Sequence, residues 1–107
     1  MGHDISGYNK AGEEIAYARF SMGNYNVRIL YGLLGADEFN AGVSGSGGHS
    51  VFSLQQIEQA LNDCHLFFKN EALQSEGFSW DKKQIFDFLL NCLSIVKKEG
   101  SVSVYFG

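Results

Sequence analysis

The residues best placed to do chemistry lie in a glycine-rich segment, Gly42-Val-Ser-Gly-Ser-Gly-Gly-His49. Glycine lets a ligand or another backbone approach closely, so such a segment is either an anion cradle built from backbone amides or a pliable connector. Ser44, Ser46 and His49 would supply the side chains of a ligand site here. They define one hypothesis, a small enzyme or ligand-binding domain in which His49 is an acid–base group or an anion contact.

The known phosphate and nucleophile motifs do not fit this segment. A Walker-type loop needs a lysine followed by Ser or Thr, and no lysine is present. In the dinucleotide fingerprint Ser50 stands where the third glycine belongs, and no apolar strand precedes the loop. Neither Ser44 nor Ser46 has a glycine two residues away on both sides, as a nucleophile elbow requires. We therefore expect a flexible surface connector.

Histidine and cysteine suggest a second kind of chemistry, a metal site. His3 with Asp4, His49, and His65 with Cys64 are the candidate ligands, but no pair has the C-x-x-C or H-x-x-x-H spacing that places two ligands together. Cys64 and His65 are adjacent, so on a helix they point about 100° apart. Metal binding is retained as an alternative function, and no metal or cofactor is assigned.

Nucleophilic and acid–base catalysis have little support. Cys64 and Cys92 both fall among Leu, Ile and Phe at helical spacing, whereas a reactive thiolate needs an exposed, electropositive setting. Core packing explains them better. Carboxylates beside turns are usually solvated, and no spacing rule brings any two of these together: Asp4, Glu13, Glu14, Asp37 and Glu38. We assign no catalytic residue and favour a function other than that of an enzyme.

A surface is the remaining candidate. Tyr17, Arg19 and Tyr105 fall on the less apolar faces of predicted strands, with Tyr8 alongside. Tyr and Arg are enriched at protein interfaces because they combine contact area with hydrogen-bond donors. The leading hypothesis is a small cytoplasmic protein-binding or regulatory module that acts through this surface, with homodimerisation as one form of it. The face would instead be buried if another element of the chain covered it.

The strands that must position these residues are read from period-two patterns. Gly2–Tyr8 and Glu13–Met22 form a predicted hairpin, whose second strand places Ile15, Tyr17 and Arg19 on one face. Ser101–Phe106 alternates cleanly, and it could lie at a sheet edge where a partner strand would pair.

Helical spacing predicts three helices. The first helix is short, is capped by Asn24 and ends at Gly35. The second is long and starts at Ser53, whose hydroxyl forms a capping box with Gln56. The third runs from Trp80 to Lys98. The apolar stripe of the first long helix contains Leu54, Ile57, Leu61, Cys64 and Phe68. The chain is thus predicted to be an α+β domain, a small antiparallel sheet of the N-terminal hairpin and C-terminal strand covered on one face by two long helices and a short one.

Composition and charge limit the number of domains, the class of partner and the compartment that we expect. The 107 residues, 45% of them hydrophobic, suit one compact domain over residues 1–107. A net charge of -4 makes nucleic acid an unexpected partner and suits a basic protein. No signal peptide and no apolar run near the ~20 residues of a membrane span are visible, so we expect a cytoplasmic protein that does not bind membranes.

Overall fold

The computed structural model describes residues 2–21, 26–42, 44–71 and 79–107. A four-stranded antiparallel sheet has the order β2-β1-β4-β3, with β1 at Gly2–Tyr8, β2 at Glu14–Ser21, β3 at Gly48–Ser53 and β4 at Ser101–Phe106. Three helices accompany it: α1 at Val27–Leu34, α2 at Leu54–Glu71 and α3 at Ser79–Glu99. The predicted α+β class, with helices packing on the sheet, is confirmed. In the described part of the chain, no helix has the length and apolar character needed to cross a membrane.

Two expectations about the sheet are wrong. The end of the glycine-rich segment is strand β3, which pairs with β4 from Gly48 to Ser53. As a result, β4 is an inner strand between β1 and β3 and has no free edge. The strand was missed because its inward positions begin with Gly48 and Ser50, so only Phe52 supplies an apolar residue to the period-two pattern.

The core lies between the inner face of the sheet and the helices. Ala16, Ala18 and Phe20 of β2 point inward and are buried on the side of the sheet where β2 contacts α3. The predicted face of Ile15 is wrong, because a bulge opposite Gly7 and Tyr8 shifts the register and Ile15 packs against the core. The buried stripes of the two long helices contain Ile57, Ala60, Cys64 and Phe68 in α2, and Ile85, Phe88, Leu89, Cys92 and Val96 in α3.

The helix ends follow local signals closely. The Ser53 hydroxyl accepts from the Gln56 N–H at 3.2 Å, and the Gln56 side chain accepts from the Ser53 N–H at 2.8 Å, so the predicted capping box is present. Gly35 ends α1 with φ of 63°, and Gly100 follows α3 with φ of 85°. The predicted cap Asn24 and the strand end Met22 lie outside the described residues.

Candidate functional site

The sheet has one helix-covered face and one face that carries exposed side chains. Because side chains alternate along a strand, the residues that flank the inward positions share this second face. Val51 is 60% exposed, Tyr17 49% and Tyr105 38%. We call this surface the outer face; it consists of Asp4, Ser6 and Tyr8 from β1, Tyr17 and Arg19 from β2, His49 and Val51 from β3, and Ser103 and Tyr105 from β4.

The strand register brings several predicted site residues into one row across all four strands. Tyr17 lies opposite Ser6, Ser6 opposite Tyr105, and Tyr105 opposite His49. Neighbouring strands lie about 4.8 Å apart, so the row spans about 14 Å from Tyr17 to His49. The small Ser6 separates the two tyrosines, and all three interface candidates therefore share one surface with His49.

Asp4 organises the β2 side of the outer face. The Tyr17 hydroxyl donates a hydrogen bond to Oδ1 of Asp4, and Nε of Arg19 lies 3.7 Å from the same oxygen. The hydrogen bond to Asp4, followed by partial burial and by the charge of Asp4, raises the pKa of Tyr17. The sequence analysis considered Asp4 as a solvated carboxylate and, beside His3, as a candidate metal ligand. The signal that could have found it is the period-two pattern of β1, which places Asp4 beside Arg19 across the hairpin.

The described part of the glycine-rich segment is held against the end of β4, contrary to the expectation of a free connector. The backbone N–H groups of Gly45 and Gly47 donate to the carbonyls of Gly107 at 2.9 Å and Phe106 at 2.8 Å. The N–H of Ser46 donates to the Phe39 carbonyl at 2.8 Å. These three successive donors are used within the chain, so they are not free to bind an anion.

The three candidate ligand-binding side chains of this segment point to different surroundings. The Ser44 hydroxyl donates to the carbonyl of Gly45 at 2.9 Å, and the Ser46 side chain is exposed. His49 is exposed on the outer face, next to Tyr105. The structure therefore joins His49 to the predicted interface residues rather than to the two serines.

His3 anchors the same segment from inside the molecule. Its ring is 1% exposed, with Nε2 3.1 Å from the carbonyl oxygen of Gly42 and Nδ1 3.1 Å from the Tyr31 hydroxyl. A carbonyl oxygen only accepts, so in the neutral ring Nε2 carries the proton and Nδ1 accepts from the Tyr31 hydroxyl. His65 lies elsewhere, against the ring of Phe86. The described residues contain no group of three or more His, Cys, Asp or Glu side chains placed to hold a metal ion.

Both cysteines are core residues. Cys64 and Cys92 are free thiols with no exposed surface. Burial raises the pKa of each thiol to about 12, although the charge of Lys82 partly opposes this at Cys64. Neither thiol has the accessible, thiolate-stabilising surroundings of a nucleophile.

A groove that sequence reasoning missed runs between β2 and α3. An open cavity of about 780 Å³ is lined by Glu14, Ile15, Ala16, Tyr17, Asp87 and Asn91. A smaller one of about 200 Å³ shares Tyr17 and Asp87 and adds Lys83 and Gln84. Neither is lined by Ser44, Ser46 or His49. The groove forms because α3 packs beside the edge strand β2, although the two elements lie more than sixty residues apart in the chain. No local sequence pattern indicates such a contact.

Comparisons with protein-family models, with curated proteins and with solved structures find no significant match to this chain.

Proposed function

We propose that this chain is a protein-binding module whose outer face docks against a partner protein. The observation that carries the proposal is the row of Tyr17, Ser6, Tyr105 and His49 across four strands, with Arg19 beside it. Two exposed tyrosines on one sheet face supply contact area with little loss of side-chain freedom on binding, and Arg19 adds hydrogen-bond donors. A broad, shallow face suits a protein better than a small molecule, which favours a concave pocket.

Charge and cysteine chemistry support the choice of partner and compartment. The net charge of -4 favours a basic partner through long-range attraction. Two buried free thiols suit a reducing compartment, so we place the module in the cytoplasm. Self-association through the same face would make the partner a second copy of the chain.

Site-specific photo-crosslinking tests this proposal. Benzoylphenylalanine is placed at Tyr105 on the outer face or, as a control, at Gln59 on the exposed side of α2, and each variant is expressed in the native cells. We expect one discrete adduct from position 105 alone, with its partner identified by mass spectrometry. An adduct with the chain itself would identify the homodimer, and sedimentation equilibrium would then give its affinity.

Reconstitution with the identified partner completes the test. Replacing Tyr17, Arg19 and Tyr105 together by alanine should weaken binding about tenfold or more, because such anchors dominate interface energies. The paired control replaces Glu58 and Gln59 on α2. Equal adducts from both crosslinker positions, or an unchanged affinity of the triple variant, would overturn the proposal.

A further inference from the structure

We propose that the groove between β2 and α3 binds an extended, basic segment of the partner by adding it as a strand to β2. This inference rests on the proposed function and names the way in which part of the partner is recognised. Strand addition uses backbone hydrogen bonds along a free sheet edge and leaves alternate side chains to give specificity. β2 is an edge strand in the sheet order, with β1 on its other side.

The backbone of Tyr17 faces this edge. Asp4 exchanges two hydrogen bonds with Gly107 on the β4 side, through its N–H at 3.0 Å and its carbonyl at 2.9 Å. Since backbone groups alternate in direction along a strand, Ile5 rather than Asp4 bonds towards β2, where its partner is Ala18. The neighbouring residues of β2, Tyr17 and Arg19, therefore direct their N–H and carbonyl groups outward.

A contact within the chain shows that an amide group can hydrogen-bond to this edge. The side-chain amide of Gln84 bonds both outward groups of Arg19, each at 3.0 Å, as a peptide group of an added strand would do. Two residues earlier, the backbone of Tyr17 has no such partner within the described residues. The bulge then leaves Ile15 without an opposite residue on β1. The unpaired stretch of β2 coincides with the larger cavity. The volume of that cavity, about 780 Å³, lies within the range of about 300–1,000 Å³ that is typical of ligand sites.

The charges of the groove select a basic segment. Glu14 and Asp87 line it with Asn91, and Lys83, the only cation among the described lining residues, is paired to Asp87 at 2.7 Å. Glu14 therefore supplies an unbalanced negative charge to a Lys or Arg of the bound strand. A second copy pairing through its own β2 would bring another Glu14 and Asp87 to the same place. This repulsion favours a different, basic protein as the source of the strand.

Selection of a phage-displayed library of random heptapeptides on the full chain tests the inference. We expect enriched sequences with Lys or Arg at alternating positions. Synthetic versions should bind about fivefold to tenfold more weakly to Glu14→Lys than to the unchanged chain, and normally to Glu58→Lys, the matched reversal on α2. Methylation of one peptide backbone nitrogen at a time should abolish binding at alternate positions, because it removes ladder donors.

Amide hydrogen exchange provides a readout at the edge itself. A bound peptide should slow exchange of the Tyr17 N–H about tenfold or more at saturation, because the group becomes hydrogen-bonded. No enriched peptide, enriched peptides without basic residues, or binding that N-methylation leaves unchanged would overturn the inference. If crosslinking at Tyr105 still gives a partner, and replacing only Arg19 and Tyr105 by alanine weakens its binding, the proposed function stands without the groove. If peptides bind the groove and no partner crosslinks at Tyr105, the proposed function alone is overturned.

Discussion

The side-chain amide of Gln84 in α3 pairs with the backbone of Arg19 in β2, accepting from its N–H and donating to its carbonyl at 3.0 Å each. These two residues are 65 positions apart in the chain. The contact fastens α3 to the sheet and covers one position of an otherwise open edge strand. Open strand edges invite pairing with other chains, so this amide also limits where pairing can occur.

Gln84→Ala should therefore lower stability and lengthen the free edge. Loss of its two exposed hydrogen bonds to Arg19 and of a long one to Asp81 at 3.5 Å should reduce the free energy of unfolding by about 1 kcal/mol, measured by urea denaturation. Light scattering should show more association than for the unchanged chain. Gln55→Ala, at an exposed position of α2, is the matched control and should change neither quantity. Equal effects from both variants would contradict the role given to Gln84.

The capping box at the start of α2 gives a second prediction. Ser53→Ala should reduce the free energy of unfolding by about 1 kcal/mol, because the Gln56 N–H loses its acceptor. Ser94→Ala, in the exposed middle of α3, should be neutral or slightly stabilising, since alanine is the better helix former. Thermal and urea unfolding of both variants check this. A Ser53→Ala chain as stable as the Ser94→Ala chain would refute the cap.

The buried hydrogen bond between His3 and Tyr31 predicts that loss of the Tyr31 hydroxyl alone will lower the free energy of unfolding. Tyr31→Phe keeps the ring that stacks on Phe106 but leaves Nδ1 of His3 without its donor. Burying an unsatisfied acceptor should cost about 1–3 kcal/mol in the free energy of unfolding. Tyr105→Phe removes an exposed hydroxyl for comparison and should change stability by less than about 0.5 kcal/mol. Denaturant unfolding of the two variants side by side would show whether the buried hydroxyl matters.

Alkaline pH should destabilise the fold through the two thiols and Tyr31. Burial raises the pKa of Cys64 and Cys92 from 9.0 to about 12, and that of Tyr31 from 10.0 to about 12. These groups release protons in the unfolded chain at lower pH than in the folded one. Their contribution is complete below pH 9 and is lost as pH rises towards 12.

Urea unfolding at increasing pH measures this loss. Each group ionised only in the unfolded chain adds a slope of about 1.4 kcal/mol per pH unit. Cys92→Ala should make the decline between pH 9 and pH 10 less steep, whatever it does to stability at neutral pH. A flat profile over that interval would contradict the burial of the thiols. In the folded chain near neutral pH, Ellman's reagent should react with either thiol only as fast as the fold opens.

Replacing Gly45 or Gly32 by alanine should change the stability of the fold in opposite directions. A Cβ at Gly45 would lie 2.5 Å from the backbone carbonyl of Phe106, so Gly45→Ala must displace the segment from β4 and should cost about 1–3 kcal/mol. At Gly32, within α1, an added Cβ would meet no atom within 4 Å among the described residues, apart from its chain neighbours and the nearby backbone of its own helix. Gly32→Ala should stabilise the chain by about 0.5–1 kcal/mol through helix propensity. Melting temperatures that move in the same direction would contradict the packing of the glycine-rich segment.

Local patterns predicted most of the elements and part of the candidate site. The capping box of Ser53, the helix end at Gly35 and the alternation of β4 all depend on residues a few positions apart, and all three are present. The same alternation grouped Tyr17 with Arg19. The period-two pattern failed at the bulge in β2, where Ile15 turns towards the core instead of sharing a face with Tyr17 and Arg19.

The sequence by itself determined the helices, three of the strands and the class of the fold, because hydrophobic periodicity and capping act over one or two turns. Only the tertiary structure decided the order of the strands, the pairing of β3 and the contacts of His3 and Gln84. Those relationships join residues that lie from 28 positions apart, as His3 and Tyr31 do, to 101 positions apart, as Ile5 and Phe106 do across β1 and β4, so no local pattern indicates them. The row from Tyr17 to His49 depends on the pairing register between all four strands. It therefore forms only when the whole sheet is assembled.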